Sequence, residues 1–187
     1  MSDLINAVIQ RRFTRPAVQV EPAPVLRWAA VAVVLVPAPD SLLLVRRAER
    51  SGDPWSGQMA LPGGRREGDE DLLFTAIRET EEEVGLVLPP ESLVGVLDDM
   101  APRTPVLPPI AVRPYVFRLD RRVPLDRISE EIAATHWVPL ANLLSDDTYA
   151  SADVLVRSQQ MRVPAFRLQE GTVWGMTERI LSDLLKT

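Results

Sequence analysis

Glu79, Glu82 and Glu83 stand at i, i+3 and i+4 in the run RETEEEVG. If the run is helical, these three side chains leave one face side by side. Like charges at such spacings destabilise a helix, so the face is either merely solvated or built around something positive. Three converging carboxylates suit a hard divalent ion such as Mg²⁺ or Mn²⁺, because hard cations take oxygen ligands.

Other chemistries find little support. The chain has no cysteine, which excludes disulfides, thiol nucleophiles and cysteine-ligated zinc. Its single histidine, His136, excludes a multi-histidine zinc site and lies in the apolar run ATHWVPL, where a strand residue is expected. No G-x-S-x-G elbow accompanies it. A net charge of −5 argues against non-specific nucleic-acid binding as the main business. Of the 21 basic residues, 20 are arginine, a bias that nucleotide composition alone explains without any physical demand, although arginine is also the better bidentate partner for phosphate oxygens.

The acidic run must be held by a core. Leu73, Ala76, Ile77, Thr80 and Val84 follow helical spacing on a different face from the glutamates and are expected to be buried. Asp69 or Asp71 is the expected N-cap, and Gly85 the left-handed C-cap. Strands are expected at residues 29–36, 42–46, 93–97, 110–119 and 135–138, with 154–156 and 165–168 as strand or extended chain. An N-terminal amphipathic helix, a short helix after Pro139 that includes 142–144, and a final helix over 174–185 complete the pattern. The proline clusters PAVQVEPAP and APRTPVLPP read as an extended arm and a rigid exposed loop. The longest apolar stretch, WAAVAVVLVP, is too short to span a bilayer, and MSDLINAVIQRR lacks the order expected of a secretory signal, since its basic residues follow the apolar ones. The expectation is one soluble, cytoplasmic domain over 1–187, with helix and arm over 1–25 and a mixed sheet between helices.

Gly64, Glu70 and the segment Arg78-Glu79-Thr80-Glu81-Glu82-Glu83-Val84-Gly85-Leu86 together resemble the Nudix box, G-x5-E-x7-R-E-U-x-E-E-x-G-U, over residues 64–86. Only Thr80 is a soft match, at an aliphatic position. The resemblance implies an α/β (α+β) Nudix fold and hydrolysis of a nucleoside diphosphate linked to another moiety. It implies Glu79, Glu82 and Glu83 as catalytic metal ligands, with the Gly64 carbonyl as a further oxygen and Mg²⁺ or Mn²⁺ as cofactor. Arg78 would orient the glutamates, and Glu70 would support Arg78. Glu131, in SEEIAATHWVPL, is the candidate late-loop base or extra ligand, with Glu130 as its competitor, since strand parity does not decide between them. A homodimer is compatible with the resemblance; neither nucleic acid nor a membrane is expected as partner.

Residues 42–64, LLLVRRAERSGDPWSGQMALPGG, are similar to the extra motif of coenzyme A pyrophosphatases, LLTxR[SA]x3Rx3GxxxFPGG, with one residue added between Ala48 and Gly57. The tail FRLQEGTVWGMTERILSDLL resembles the same branch. Val45 replaces Thr, Leu61 replaces Phe, and Asp53 stands where the motif has its second arginine, with Arg50 three residues earlier. The likeness implies a coenzyme A-like nucleotide substrate, cleaved to phosphopantetheine and adenosine bisphosphate. Arg46, Arg47 and Arg50 become candidate phosphate contacts, and Trp55 either stacks on adenine or anchors its loop. Trp137 and Trp174 are expected in the core. ADP-ribose, dinucleoside polyphosphates and damaged nucleoside triphosphates remain alternative substrates, and a non-catalytic nucleotide-binding module is the alternative of another class.

Overall fold

The run RWAAVAVVLV becomes a ten-residue strand whose side chains are almost all buried on both faces. That burial requires a layer on each side, and the rest of the chain supplies both. The computed structural model describes residues 3–14, 16–18, 27–51, 55–102, 110–125, 128–156 and 159–185.

In chain order the elements are α1 (Asp3–Arg12), β1 (Arg27–Val36), β2 (Ser41–Arg47), β3 (Met59–Ala60), β4 (Gly63–Arg65) and α2 (Leu72–Val84). There follow β5 (Leu93–Val96), β6 (Ile110–Arg118), β7 (Ile132–Pro139), α3 (Leu140–Leu143), β8 (Tyr149–Val156), β9 (Gln159–Arg167), β10 (Thr172–Trp174) and α4 (Gly175–Leu185). β1 runs parallel to β6 and antiparallel to β2 and β4. The mixed seven-stranded sheet has the path β3-β2-β1-β6-β5, with β4 also on β1 and β7 on β2. The small sheet β10-β9-β8 stands apart from it.

Strand alternation divides the core. Val33, Leu35, Leu42 and Leu44 pack with Ile5, Val8, Phe166, Ile180 and Leu184, on the side of α1 and α4. Ala32, Val34, Leu43 and Val45 pack with Val84, Leu86 and Phe117, on the side of α2. The result is a mixed sheet between helices, as the resemblance implies.

α1 is tied down at both ends. Its Ile5 N–H, one of the donors a helix start leaves without an intrahelical partner, goes to Asp40 Oδ2 at 3.0 Å. At its other end Arg11 donates to the Leu185 carbonyl of α4, and Arg12 is fully buried between Asp98 and Asp183, at 3.1 and 2.8 Å.

Several boundaries move. β7 begins at Ile132, three residues before the expected 135, because residues 132–134 pair with the end of β2. Trp174 closes β10 opposite Ala165, so the last helix begins at Gly175. The short helix expected after Pro139 covers 140–143, with Leu144 as its C-cap. β8 and β9 form a hairpin longer than either expected fragment. Most of the proline-rich arm after residue 18, the loop over 103–109 and Asp53 lie outside the described residues. No helix among the described residues is long and apolar enough to cross a membrane.

Candidate active site

The acidic run is α2. Asp71 caps it, its side chain accepting from the Leu73 N–H at 2.8 Å. Gly85 ends it at φ 69°, with its N–H on the Glu81 carbonyl. Leu72, Thr75, Ala76, Thr80 and Val84 are buried, while Leu73 and Ile77 pack at the edge of the core. Thr80 replaces an aliphatic residue at no polar cost, because its hydroxyl donates to the Ala76 carbonyl at 2.7 Å.

Arg78 sits at the centre of the charges. Its Nη2 and Nε reach Glu70 at 2.7 and 3.2 Å, and its Nη1 reaches Glu79 at 3.0 Å and Glu82 at 3.1 Å. Glu70 is held in turn by the Glu67 N–H and the Thr75 hydroxyl, both at 2.9 Å. The Arg78 hydrogen bonds outweigh burial and hold the Glu70 carboxyl down at about 2. The same pair raises Arg78, so the guanidinium stays charged.

The three glutamates of the i, i+3, i+4 set have different surroundings. Glu82 is mostly exposed and Glu79 largely covered, but Glu83 is 6% exposed. Burial pushes Glu83 up to about 7, against the Gly63 N–H and Arg47 that lower it. Burial also raises Glu79, against Arg78. Glu83 Oε2 accepts from the Gly63 N–H at 2.9 Å, and Arg47 Nη1 lies 4.0 Å from Oε1.

Two glycines make this fit. Gly63 has φ 146°, and a Cβ there would meet the Ala30 carbonyl oxygen at 2.3 Å. A Cβ on Gly64 would lie 2.3 Å from Glu79 Cδ, so the carboxylate occupies the space glycine leaves. The donors are all oxygen, as a hard divalent ion requires. Among the described residues no three such side chains form a ready-made cation cage, and the Arg78 guanidinium instead joins Glu79 and Glu82.

A second group of candidates meets this helix from β2 and β7. Ser129 N–H donates to the Glu83 carbonyl at 2.9 Å, and Ala48 N–H to the Glu131 carbonyl at 2.7 Å. The Glu131 carboxylate accepts from Arg50 at 2.9 Å and is near enough to Glu83 to contribute to its upward shift. Glu130 is exposed in the preceding turn. Arg46 is not brought to the site. It follows Leu42 and Leu44 in parity, on the sheet face away from α2, and the register shift comes only after it. Trp55 is half-buried in the turn before β3, Trp137 packs at the α2-side core, and His136 is a strand residue paired with Leu44.

Sequence reasoning missed the Gly63 N–H as a partner of Glu83 and the Ser129 tether. The adjacent Gly63-Gly64 pair was the available signal for the first, and no spacing announced the second.

Residues 26–158 match the NUDIX domain family. The chain is 35% identical over 159 residues to an uncharacterized Nudix hydrolase NudL of Photorhabdus laumondii, covering 84% of this chain and 83% of that one. The NudL of Yersinia pestis (strain Pestoides F) is 34% identical over 160 residues, covering 84% and 78%. Among solved structures, a MutT/nudix family protein from Enterococcus faecalis superposes with a TM-score of 0.63 at 17% identity, over 96% of this chain and 67% of that one, a likeness of fold. The MutT protein from Methanosarcina mazei Go1 gives a TM-score of 0.50 at 27% identity, over 66% and 84%.

Proposed function

We propose that this chain, which belongs to the Nudix hydrolase family, cleaves the pyrophosphate bond of coenzyme A or its derivatives. Hydrolysis of nucleoside diphosphate derivatives is the family's reaction. The finer assignment rests on one observation. The motif before the box sends Arg47 to within 4.0 Å of Glu83 and Arg50 to 2.9 Å from Glu131, so two arginines line the rim of the acidic site. A substrate with a phosphomonoester beyond its pyrophosphate fits two such guanidinium groups.

Glu79, Glu82 and Glu83, with the Gly64 carbonyl, would hold Mg²⁺ or Mn²⁺. Such an ion supplies the charge that neutralises pyrophosphate oxygens and activates water. Arg78, fixed by Glu70, orients Glu79 and Glu82. Glu131 accepts the proton as water attacks phosphorus and the bridging P–O bond breaks, leaving phosphopantetheine and adenosine bisphosphate. Arg47 and Arg50 contact phosphate, and Trp55 borders the same loop. We read 1–187 as one domain, a reading supported by the clamp of α1 onto α4. Incubating the protein with coenzyme A, ADP-ribose, NADH and dinucleoside polyphosphates, each with Mg²⁺ or Mn²⁺, and identifying products by mass tests the assignment. Cleavage of ADP-ribose with coenzyme A left intact overturns it.

A further inference from the structure

We infer that the Arg50–Glu131 ion pair is a latch opened by a substrate phosphate, so that recognition of an extra phosphomonoester and release of the proton acceptor are one event. The inference rests on the role of Glu131 proposed above. Arg50 Nη1 stands 2.9 Å from Glu131 Oε1, with the two side chains 46% and 52% exposed. A carboxylate oxygen that accepts a guanidinium N–H has that lone pair occupied and does not take a proton from water along the same direction.

The backbones on both sides are pinned, so the opening needs only side-chain rotation. Arg50 N–H is held by Ser56 Oγ at 2.9 Å, Glu131 carbonyl by Ala48 N–H at 2.7 Å, and the preceding turn by the bond from Ser129 N–H to the Glu83 carbonyl. Arg47, at 25% side-chain exposure, is turned inward beside Glu83, whereas Arg50 faces solvent, where an arriving anion meets it first. An exposed ion pair is weak. A dianionic phosphomonoester makes the stronger bidentate pair with arginine, so the exchange runs toward phosphate. A nucleotide without the extra phosphate leaves the latch shut, which makes Arg50 a positioning residue for Glu131 as well as a phosphate contact.

The test compares coenzyme A with 3′-dephospho-coenzyme A in wild type, Arg50→Gln, Glu131→Gln and the double variant. Arg50→Gln is expected to lower kcat/KM for coenzyme A by about tenfold or more, through KM. On the dephospho compound it is expected to raise kcat by roughly two- to fivefold, the range an exposed ion pair commands. The gain should vanish in the double variant. An equal loss on both compounds, or a dephospho kcat that does not rise, overturns the latch. Failure of the coenzyme A assignment is distinct: wild type then cleaves neither compound. The same variants are then read on ADP-ribose 2′-phosphate against ADP-ribose, by the same criteria.

Discussion

Two arginines, Arg12 and Arg78, are each surrounded by carboxylates, and the molecule uses them in opposite ways. Arg12 is wholly buried between Asp98 and Asp183, and Asp98 also accepts the Val18 N–H at 2.8 Å. Its charges join α1 to α4 and to the loop after β5, three pieces distant in the chain. Arg78 remains partly open and faces Glu70, Glu79 and Glu82, with Glu83 one residue further along the helix. One guanidinium among so many carboxylates leaves an excess of negative charge at an accessible surface. The buried cluster fastens, and the open one carries the excess charge that the proposed cation would neutralise.

The largest expected effect separates the two at once. Glu82→Gln or Glu83→Gln should abolish turnover, a loss of about 10³-fold or more if several kcal/mol of metal-assisted stabilisation go with the ligand. Circular dichroism should remain native, because the amide keeps the shape of the side chain and relieves repulsion. Rates like wild type in both variants at low Mg²⁺ would sink the metal assignment. Arg12→Met should behave in the opposite sense. Removing one partner from a buried cluster strands two aspartates and costs about 3–5 kcal/mol of stability, while kcat of the protein that remains folded stays unchanged. A fall in kcat without a fall in denaturation midpoint would break the contrast.

A smaller effect depends on pH. The folded state holds Glu83 at about 7, above the ordinary 4.5, so between those values it binds more protons than the unfolded chain. Stability from this residue is therefore fully present below 4.5 and lost as pH rises through 7. The cost by pH 8 is on the order of 3 kcal/mol. Glu70 works in the other direction: held at about 2, it contributes above 4.5 and is lost as pH falls toward 2. In the presence of a chelator, Glu83→Gln should be more stable than wild type at pH 8 and equal to it at pH 4. Urea titrations at both pH values measure this, and an equal gap at each would mean that the fold does not raise Glu83.

The parts of this site written within one helix were legible in the sequence. Helical spacing put Glu79, Glu82 and Glu83 on one face, and a capping aspartate and Gly85 bounded the element; Gly64 and Glu70, which precede the helix, and the role of Arg78 came only from the likeness to the Nudix box. Burial of Glu83 was not legible, because helical parity groups it with Glu79 and Glu82, and only the approach of the Gly63 loop turns its environment dry. Arg12 could not be read either, since its partners lie 86 and 171 residues away. β3 and β4 are two and three residues long, too short for any period to register. The β8–β9 hairpin was fragmented by its mixed polarity and by Pro164. The long apolar strands β1, β2 and β6 were legible, because burial on both faces leaves a continuous apolar run.

The arginines at the end of β2 offer the finest version of the contrast, between neighbours in one strand. Arg47 points toward α2 and lies 4.0 Å from Glu83, whereas Arg46 continues the parity of Leu42 and Leu44 on the opposite face and is exposed. Both are arginine next to the proposed phosphate site, so charge alone predicts similar effects. Geometry predicts a split. Arg47→Ala should raise KM for the nucleotide about tenfold, the worth of a lost charge-assisted hydrogen bond, with a smaller change in kcat. Arg46→Ala should change KM by less than about twofold, as expected for an exposed charge that meets the substrate only through solvent. Steady-state kinetics at fixed ionic strength decide the matter. If Arg46→Ala raises KM as much as Arg47→Ala, the substrate reaches across the sheet edge to both faces, and the division between them fails at that edge.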